Sequence, residues 1–355
     1  MAGNKEFIDA LDAIEKERNI SKDVMIEAIE NSLLQACKSM FGKSDNIKVQ
    51  INRNTGAVQV YAEMKIVEEV EDKALEITLE EAKRKFPKKK LEVGDVVNVE
   101  VTPQNFDRIS AQKAKQTVIQ KVREEERKVL YEQYLDLEHQ VVTGVVQRYV
   151  GKNISINLGK VDATLPESEQ MPGEHFRAKG DERIKLFVTE VKDSTKGPRI
   201  TVSRTHKDLV RRLFESEVAE IADGTVQIHS IAREPGSRSK MSVSSNDPNV
   251  DARGACIGNN SERVNAIVNE LNGEKIDIVY WDEDPAVYIE QALSPAKVSQ
   301  VEVDEFEKTA RVVVPNFQLS LAIGKDGQNA RLAAKLTGYK IDIRDESQTG
   351  EGEDF

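Results

Sequence analysis

Gly324, Lys325, Asp326 and Gly327 stand between two apolar stretches, with Leu319, Ala322 and Ile323 before them and Ala330, Leu332, Ala333 and Leu336 after them. Apolar spacings of three and four predict two helices with only a short loop between. Two glycines at that spacing let the backbone turn without a Cβ clash and let another backbone come close. The loop ends where the second helix begins, so unpaired N–H groups and the positive end of the helix dipole face any phosphate. Lys325 adds a mobile cation. This is chemistry for holding a phosphodiester backbone. A single Gly-x-x-Gly also reads as a plain helix–helix turn with a glycine C-cap.

The loop has a second copy. Gly254-Ala-Cys-Ile257-Gly258-Asn259-Asn260-Ser261 precedes Val264, Ile267, Val268 and Leu271 on a helical face, then Gly273 and Ile276-Asp277-Ile278. The later copy continues to Leu336, Gly338 and Ile341-Asp342-Ile343, so Gly258 and Gly324 lie 66 positions apart and Ile276 and Ile341 lie 65 apart. One deletion aligns the two, which marks an internal duplication. Ahead of the first loop, Leu209, Leu213, Val218 and Ile221 predict a helix, and Val226 to Ile231 and Lys240 to Val243 alternate as paired strands across Glu234-Pro-Gly-Ser. Ahead of the second, Pro285 to Leu293 predicts a helix, and Val298 to Val303 and Ala310 to Val314 predict strands. The order α-β-β-α-α-β, repeated, resembles the bacterial-type (type II) KH domain, a fold that clamps about four single-stranded nucleotides at its loop.

The whole chain sets bounds. Its 355 residues suit two to four domains, with 32% charged and 39% hydrophobic residues, as in a well-solvated protein. It has no apolar run of membrane-spanning length and no signal-peptide core, so a cytoplasmic location and no membrane partner are expected. Cys37 and Cys256 lack metal or disulfide spacing and are expected in the core. The net charge of −11 and pI near 5.2 argue against a general nucleic-acid coat, so RNA binding would come from local basic patches, with modest, salt-sensitive affinity. The acidic tail after Asp345 has too little apolar content to fold.

Upstream, Phe7, Leu11 and Ile14 share a helical face, Ser21 is placed to cap a second helix, and Val24, Met25, Ala28, Ile29, Leu33, Ala36 and Met40 form its core stripe up to Phe41-Gly42. Strands Ile47 to Asn52 and Ala57 to Val67 flank the turn Arg53-Asn-Thr-Gly56. A polar insertion holding Ile77 to Phe86 and Lys88-Lys89-Lys90 leads to a strand from Val96 to Val101. Arg108 to Leu137 predicts a long charged helix that links domains. From Gln140 the period becomes two, and five short strands predict a small closed barrel. Gly144-x-Val146, Gly180-Asp181 and Ile200-Thr-Val-Ser-Arg204 resemble the S1 RNA-binding domain, but Asn153, Ile154 and Ile156 stand where strong RNA-binding members carry stacking aromatics. Tyr149, Phe176 and Phe187 remain, with Phe187 expected in the core.

The order of these parts, with Pro235 to Lys240, Ser245-Asn-Asp247, Glu274 to Ile278, Trp281-Asp282 and Ala322 to Leu332, resembles the NusA family of bacterial transcription factors along nearly the whole chain. The resemblance implies a multidomain α+β protein. Its parts are an N-terminal polymerase-binding domain with linking helix at 1–137, an S1 (OB-type) barrel at 138–204, KH domains at 205–280 and 281–345, and a tail at 346–355. It also implies DNA-directed RNA polymerase, nascent single-stranded RNA and other Nus-type factors as partners of a monomer, with effects on pausing, intrinsic termination and antitermination. Some members carry acidic repeats beyond the second KH domain, and regulation through such repeats is expected to be absent here. Phosphate-backbone contact carries over to Gly324, Lys325, Asp326 and Gly327, with Arg331 on the following helix. The first loop departs from the pattern, since Gly258, Asn259, Asn260 and Ser261 lack the second glycine and the basic residue. Ser261 is expected to cap the next helix, and Arg233, Arg238, Lys240, Arg253 and Arg263 are the candidates to compensate for the missing charge.

No enzyme motif is present: His139, His175, His206 and His229 lie in separate segments, and neither a P-loop nor a nucleophile elbow occurs. No cofactor or metal is expected, although Asp282 and Asp284 form one acidic pair able to bind a cation. A ribosome-associated RNA-binding protein or RNA chaperone is the alternative function. A phosphorolytic ribonuclease also combines KH and S1 modules, but it needs a catalytic core for which the chain has no room.

Overall fold

The computed structural model describes residues 5–41, 46–72, 74–87, 89–102, 106–176 and 182–347. The Met40 side chain, Gly42, Lys88, Gly180-Asp181 and the tail from 348 lie outside the described residues. The chain forms two compact units, Met1–Leu130 and Tyr131–Phe355.

In the first unit, helices α1 (Lys5–Arg18) and α2 (Lys22–Phe41) precede strands β1 (Ile47–Ile51) and β2 (Val58–Val67), a short strand β3 (Glu76–Thr78), helix α3 (Leu79–Lys85) and strand β4 (Val96–Glu100). Strand β2 pairs antiparallel with β1 and β4 and parallel with β3. Leu11, Met25, Ile26, Ile29, Leu33 and Cys37 pack on Val49, Ile51, Val60 and Phe106. The stretch expected to be a polar insertion is thus a strand and a helix. Thr78 caps α3 through its hydroxyl, which accepts from the Glu81 amide at 3.3 Å, and Ala82 and Ile77 close a small core with Ile66, Val97 and Val99. Helix α4 (Phe106–Leu135) begins in this unit and ends in the next.

The second unit opens with a closed barrel of β5 (Val141–Val150), β6 (Asn153–Asn157), β7 (Asp162–Leu165), β8 (Arg183–Lys192) and β9 (Arg199–Ser203), in the order β5-β6-β7-β9-β8. Every pairing is antiparallel except β7 with β9, which gives an OB-type barrel. Gly144 leaves room for the packing inside the barrel, since a Cβ there would collide with the Ile156 side chain. Tyr134, near the end of α4, donates to the Leu158 carbonyl at 3.1 Å and fastens the helix end to the barrel.

Two α-β-β-α-α-β domains follow. The first runs α5 (Lys207–Glu217), α6 (Ala219–Ala222), β10 (Val226–Glu234), β11 (Arg238–Ser245), α7 (Ala252–Ile257), α8 (Glu262–Glu270) and β12 (Lys275–Tyr280). The second runs α9 (Pro285–Ala292), β13 (Gln300–Asp304), β14 (Thr309–Val314), α10 (Leu319–Ile323), α11 (Gln328–Thr337) and β15 (Lys340–Asp345). In each, the middle strand pairs antiparallel with the first and parallel with the last. Cys256 is fully buried in the first core, and that burial pushes its thiol up to about 12, so it is a packing residue.

Side chains weld these domains together. Phe187 of the barrel is 2% exposed, belongs to the first KH core and stacks on His206 with ring centres 4.5 Å apart. His206 also caps α5, its Nδ1 accepting from the Asp208 amide at 3.2 Å. Arg204 is 1% exposed and donates to Glu174, to the Lys185 carbonyl at 2.8 Å, and to both the carboxylate (3.0 Å) and the carbonyl (2.8 Å) of Glu270 on α8. Between the KH domains, Ala232 and Val279 of the first belong to the core of the second. Tyr288 of α9 donates to the Leu336 carbonyl at 3.2 Å, with its hydroxyl 2.8 Å from Ser242 Oγ.

Candidate nucleic-acid interface

The two loops have one backbone. Gly258 and Gly324 have φ/ψ of 75/173° and 76/172°, and Asn260 and Asp326 have 51/29° and 52/28°. Ser261 and Gly327 are both left-handed, at 63/23° and 73/13°. In the second loop the closing bonds run from the Gly327 amide to the Gly324 carbonyl and from the Gln328 amide to the Lys325 carbonyl. Lys325 and Asp326 are exposed at the tip, as are Asn259 and Asn260 in the first loop.

Ser261 does not act as expected. It occupies the residue before α8, but its left-handed backbone leaves its side chain making no cap bond. A capping serine holds extended backbone angles; here the loop's turn demands the conformation that Gly327 adopts in the other copy. The fold tolerates the serine at a steric cost of about 1 kcal/mol or more.

The first glycine of each loop is fixed by crowding. A Cβ on Gly258 would lie 2.8 Å from Arg263 Cγ, and one on Gly324 would lie 2.8 Å from both the Cβ and the backbone nitrogen of Asn329. Behind the first loop is a cleft of about 230 Å³ with Ile257, Val264, Ile276 and Ile278 along its apolar wall and Arg253 and Ser261 at its rim. Asp277, Val279, Ser294 and Pro295 complete it, and through Ser294 and Pro295 the second domain contributes to the first domain's groove.

The cations proposed to compensate in the first domain are mostly engaged elsewhere. Lys240 has no exposed side-chain surface, and its ammonium donates to the Ser294 carbonyl at 2.7 Å and to Asp277 at 3.1 Å. Burial holds its amine below the usual lysine range despite Asp277. Burial raises Asp277 as well, but the Arg238 hydrogen bond and the Lys240 and Arg238 charges outweigh it, leaving the carboxyl below its ordinary value. Arg238 binds that carboxylate with both Nε (2.7 Å) and a terminal nitrogen (2.9 Å). Arg233, 2% exposed in its side chain, pairs with the fully buried Glu274. Arg263 spans the Ala255 carbonyl (2.7 Å) and Glu220 (2.9 Å). Lys240 and Arg233 therefore present no charge to solvent, whereas Arg253 remains exposed.

Arg331 is half-exposed but also committed: it donates to Glu234 of the first domain at 2.6 Å and to the Asp326 carbonyl of its own loop at 3.0 Å. That bond holds Glu234 below its ordinary value, and Gln328 adds a second donor to the same carboxylate at 2.8 Å. The turn between β10 and β11 is thereby tied to the start of α11.

Other sequence candidates have structural jobs. Asp284 caps α9 by accepting from the Ala286 amide at 2.8 Å, and Asp282 accepts from the Asp284 amide at 2.9 Å, so the acidic pair is turn chemistry. Among the described residues no cluster of metal-ligating side chains occurs. His229 stacks flat on Trp281 with centres 4.0 Å apart and lies 2.7 Å from Ser244 Oγ. Tyr149 is 46% exposed, and its hydroxyl donates to the Phe176 carbonyl at 3.1 Å. On the barrel, Asn153, Ser155 and Asn157 alternate with the buried Ile154 and Ile156 along β6, so no aromatic stacks there.

Three family models match the chain: the NusA N-terminal domain over residues 6–128, the NusA-like first KH domain over 204–281, and the NusA-like second KH domain over 285–351. Among curated relatives, the transcription termination/antitermination protein NusA of Halalkalibacterium halodurans is 56% identical over 98% of this chain and 90% of its own length. The protein of the same name from Bacillus subtilis is 54% identical over 98% of this chain and 93% of its own. That of Thermus thermophilus is 42% identical over 95% and 89%. With identity this high along nearly the full length, and with the loops, barrel and tandem KH domains in this order, the chain belongs to the NusA family of transcription termination/antitermination proteins, a family of transcription factors and not of enzymes.

Proposed function

We propose that this chain binds RNA polymerase through its N-terminal unit and emerging single-stranded RNA through its barrel and KH domains, and so modulates pausing, intrinsic termination and antitermination. Other Nus-type factors are its further partners, and it acts as a monomer in the cytoplasm. No described helix is long and apolar enough to cross a membrane. The observation that carries the RNA reading is the second loop, where a Gly-x-x-Gly backbone presents an exposed lysine at a helix start. In the first unit, an apolar cleft of about 640 Å³ between α1, the β1–β2 turn and α4, lined by Phe7, Leu11, Ile14, Val58 and Val118, supports a protein-docking role. Tethering to polymerase raises the local concentration of an RNA-binding arm whose net charge is unfavourable. The test is pause lifetime and terminator read-through on purified bacterial polymerase with wild-type chain and with Lys325→Asp. The proposal expects the variant to bind polymerase and lose the RNA-dependent part of the effect. A wild-type chain that changes neither quantity refutes it.

A further inference from the structure

Two aromatic side chains are far more exposed than the rest of their domain: Phe306 at 94%, in the β13–β14 turn, and Phe317 at 79%. Phe317 is the one joined to the candidate interface. It lies in the single 3-10 turn Asn316–Gln318 that leads into α10, the helix that ends at Gly324. Leu321 (45%), four residues on, shares its side of α10 and is also uncovered, and Ile323 (37%) is exposed just ahead of the loop. At about 1.5 Å per residue, Phe317 sits roughly 10 Å back from Gly324.

The duplication supplies a second observation. The residue equivalent to Phe317 is Asp251, 66 positions earlier, which caps α7. Asp251 accepts from the hydroxyl of Tyr280 at 2.8 Å, and Tyr280 is 40% exposed at the end of β12. Each KH domain therefore carries an exposed aromatic ring at the entrance to the helix before its loop, reached from a different point in the chain. The two rings come from non-equivalent positions of the duplicated fold, so a shared core position does not account for both, and both are open to a ligand with flat faces.

We infer that Phe317 is a base-stacking platform that extends the second KH site by one nucleotide beyond those at its loop. The occupant is single-stranded RNA, because Phe317 and Leu321 share the side of α10 that leads to the Gly324–Gly327 loop and aromatic rings stack on any base. The inference rests on the reading of that loop as RNA-binding. It predicts little base preference at this position and a requirement for an aromatic ring.

The experiment measures binding of the full chain to a single-stranded RNA carrying 2-aminopurine at successive positions. Wild type, Phe317→Ala, Phe317→Leu, Phe317→Trp and Lys325→Asp are compared by affinity and by quenching of the probe. Stacking of the usual strength predicts about a fivefold or larger loss for both Ala and Leu, retention with Trp, and loss of quenching at one probe position only. If Leu binds as wild type does, the contact is generic apolar packing and the platform is refuted. Phe317→Ala with full RNA affinity but a lost effect on polymerase would identify a protein contact and also refute it. Normal binding by Phe317→Ala alongside weakened Lys325→Asp removes the platform alone, whereas no RNA binding by wild type removes the loop reading with it.

Discussion

Arg263 and Asn329 hold the same place in the duplicated domains, five residues after the first loop glycine, and each reaches back to the carbonyl end of the helix before the loop. Arg263 donates to the Ala255 carbonyl at 2.7 Å, and Asn329 donates to the Ala322 carbonyl at 3.0 Å and to the Leu293 carbonyl at 3.0 Å. Two chemically different residues thus satisfy the carbonyls that a helix end leaves unpaired, and they allow the chain to turn sharply at glycine.

The difference between them sets the cost of filling the glycine. At φ near 75° and ψ near 173° both positions favour glycine alone. An alanine at 258 meets the flexible stem of Arg263, but one at 324 meets backbone nitrogen. Gly324→Ala should destabilise the chain by about 3 kcal/mol and Gly258→Ala by about 1 kcal/mol less. Urea denaturation midpoints decide this, and equal losses would contradict the packing argument.

Ser261 makes the reverse prediction. Ser261→Gly should remove left-handed strain and stabilise the first KH domain by up to about 1 kcal/mol, while Gly327→Ser should cost about the same. The first variant should also bind RNA more tightly, because its Cβ no longer stands at the loop. A Ser261→Gly protein with a lowered midpoint would show that the serine makes a contact that matters.

Lys325 and Lys240 should separate cleanly. Lys325→Ala should lower RNA affinity and reduce the slope of log K against log salt by about 1. Lys240→Met should leave that slope unchanged and cost about 1–3 kcal/mol of stability, since the Ser294 carbonyl loses its donor. A reduced salt slope for Lys240→Met would place its ammonium at a phosphate.

Arg204 commits its guanidinium to two carboxylates and two carbonyls. Arg204→Met strands Glu174, whose side chain is 7% exposed, without its cation, and should cost about 3–5 kcal/mol. Arg204→Lys should recover little of it, because one ammonium cannot span two carboxylates and two carbonyls. Calorimetric unfolding of the full chain measures both.

Acid should act in two windows. Burial holds His229 below its ordinary 6.5, so the folded state resists its protonation, and stability that is full above 6.5 falls as pH drops toward the lowered value. Asp277 and Glu234 are depressed below 3.8 and 4.5, so their stabilisation is present above those values and is lost as pH falls through the depressed ones. His229→Gln should flatten the first window, and Asp277→Asn the second. Denaturation midpoints from pH 7.5 to pH 3 test both.

The loops, the duplication and the barrel were legible because glycines at fixed spacing and a change of apolar period survive in one dimension. Helix α3 was obscured by charge, since only Ala82 of its seven residues is buried, yet Thr78 and Glu81 carried a capping signal. Arg233, Arg238 and Lys240 read as surface charges by residue type. Lys240 is internalised by the parallel pairing of β11 with β12, which sets it opposite Asp277, and by the docking of a second domain over that face. Arg233 lies on the other face of β10, buried against Glu274, Met171 and the His206 carbonyl, and Arg238 stays partly exposed on Asp277. Neither pairing nor docking is written in local sequence. Ser261 was misassigned because its residue type suits a cap while the loop's left-handed turn governs its backbone.

The same registers show how the outer faces of the two copies differ. Ala232, Lys240, Asp277 and Val279 on the sheet of the first KH domain correspond to Glu302, Arg311, Asp342 and Arg344 on the sheet of the second. The first face lies under its neighbour, with Ala232 and Val279 in the neighbour's core, whereas Glu302 and Asp342 are exposed. A stacked array needs a polar terminal face to remain soluble. The second copy carries charge at the positions where the first carries the apolar Ala232 and Val279, so its sheet has the polar character of an outward face.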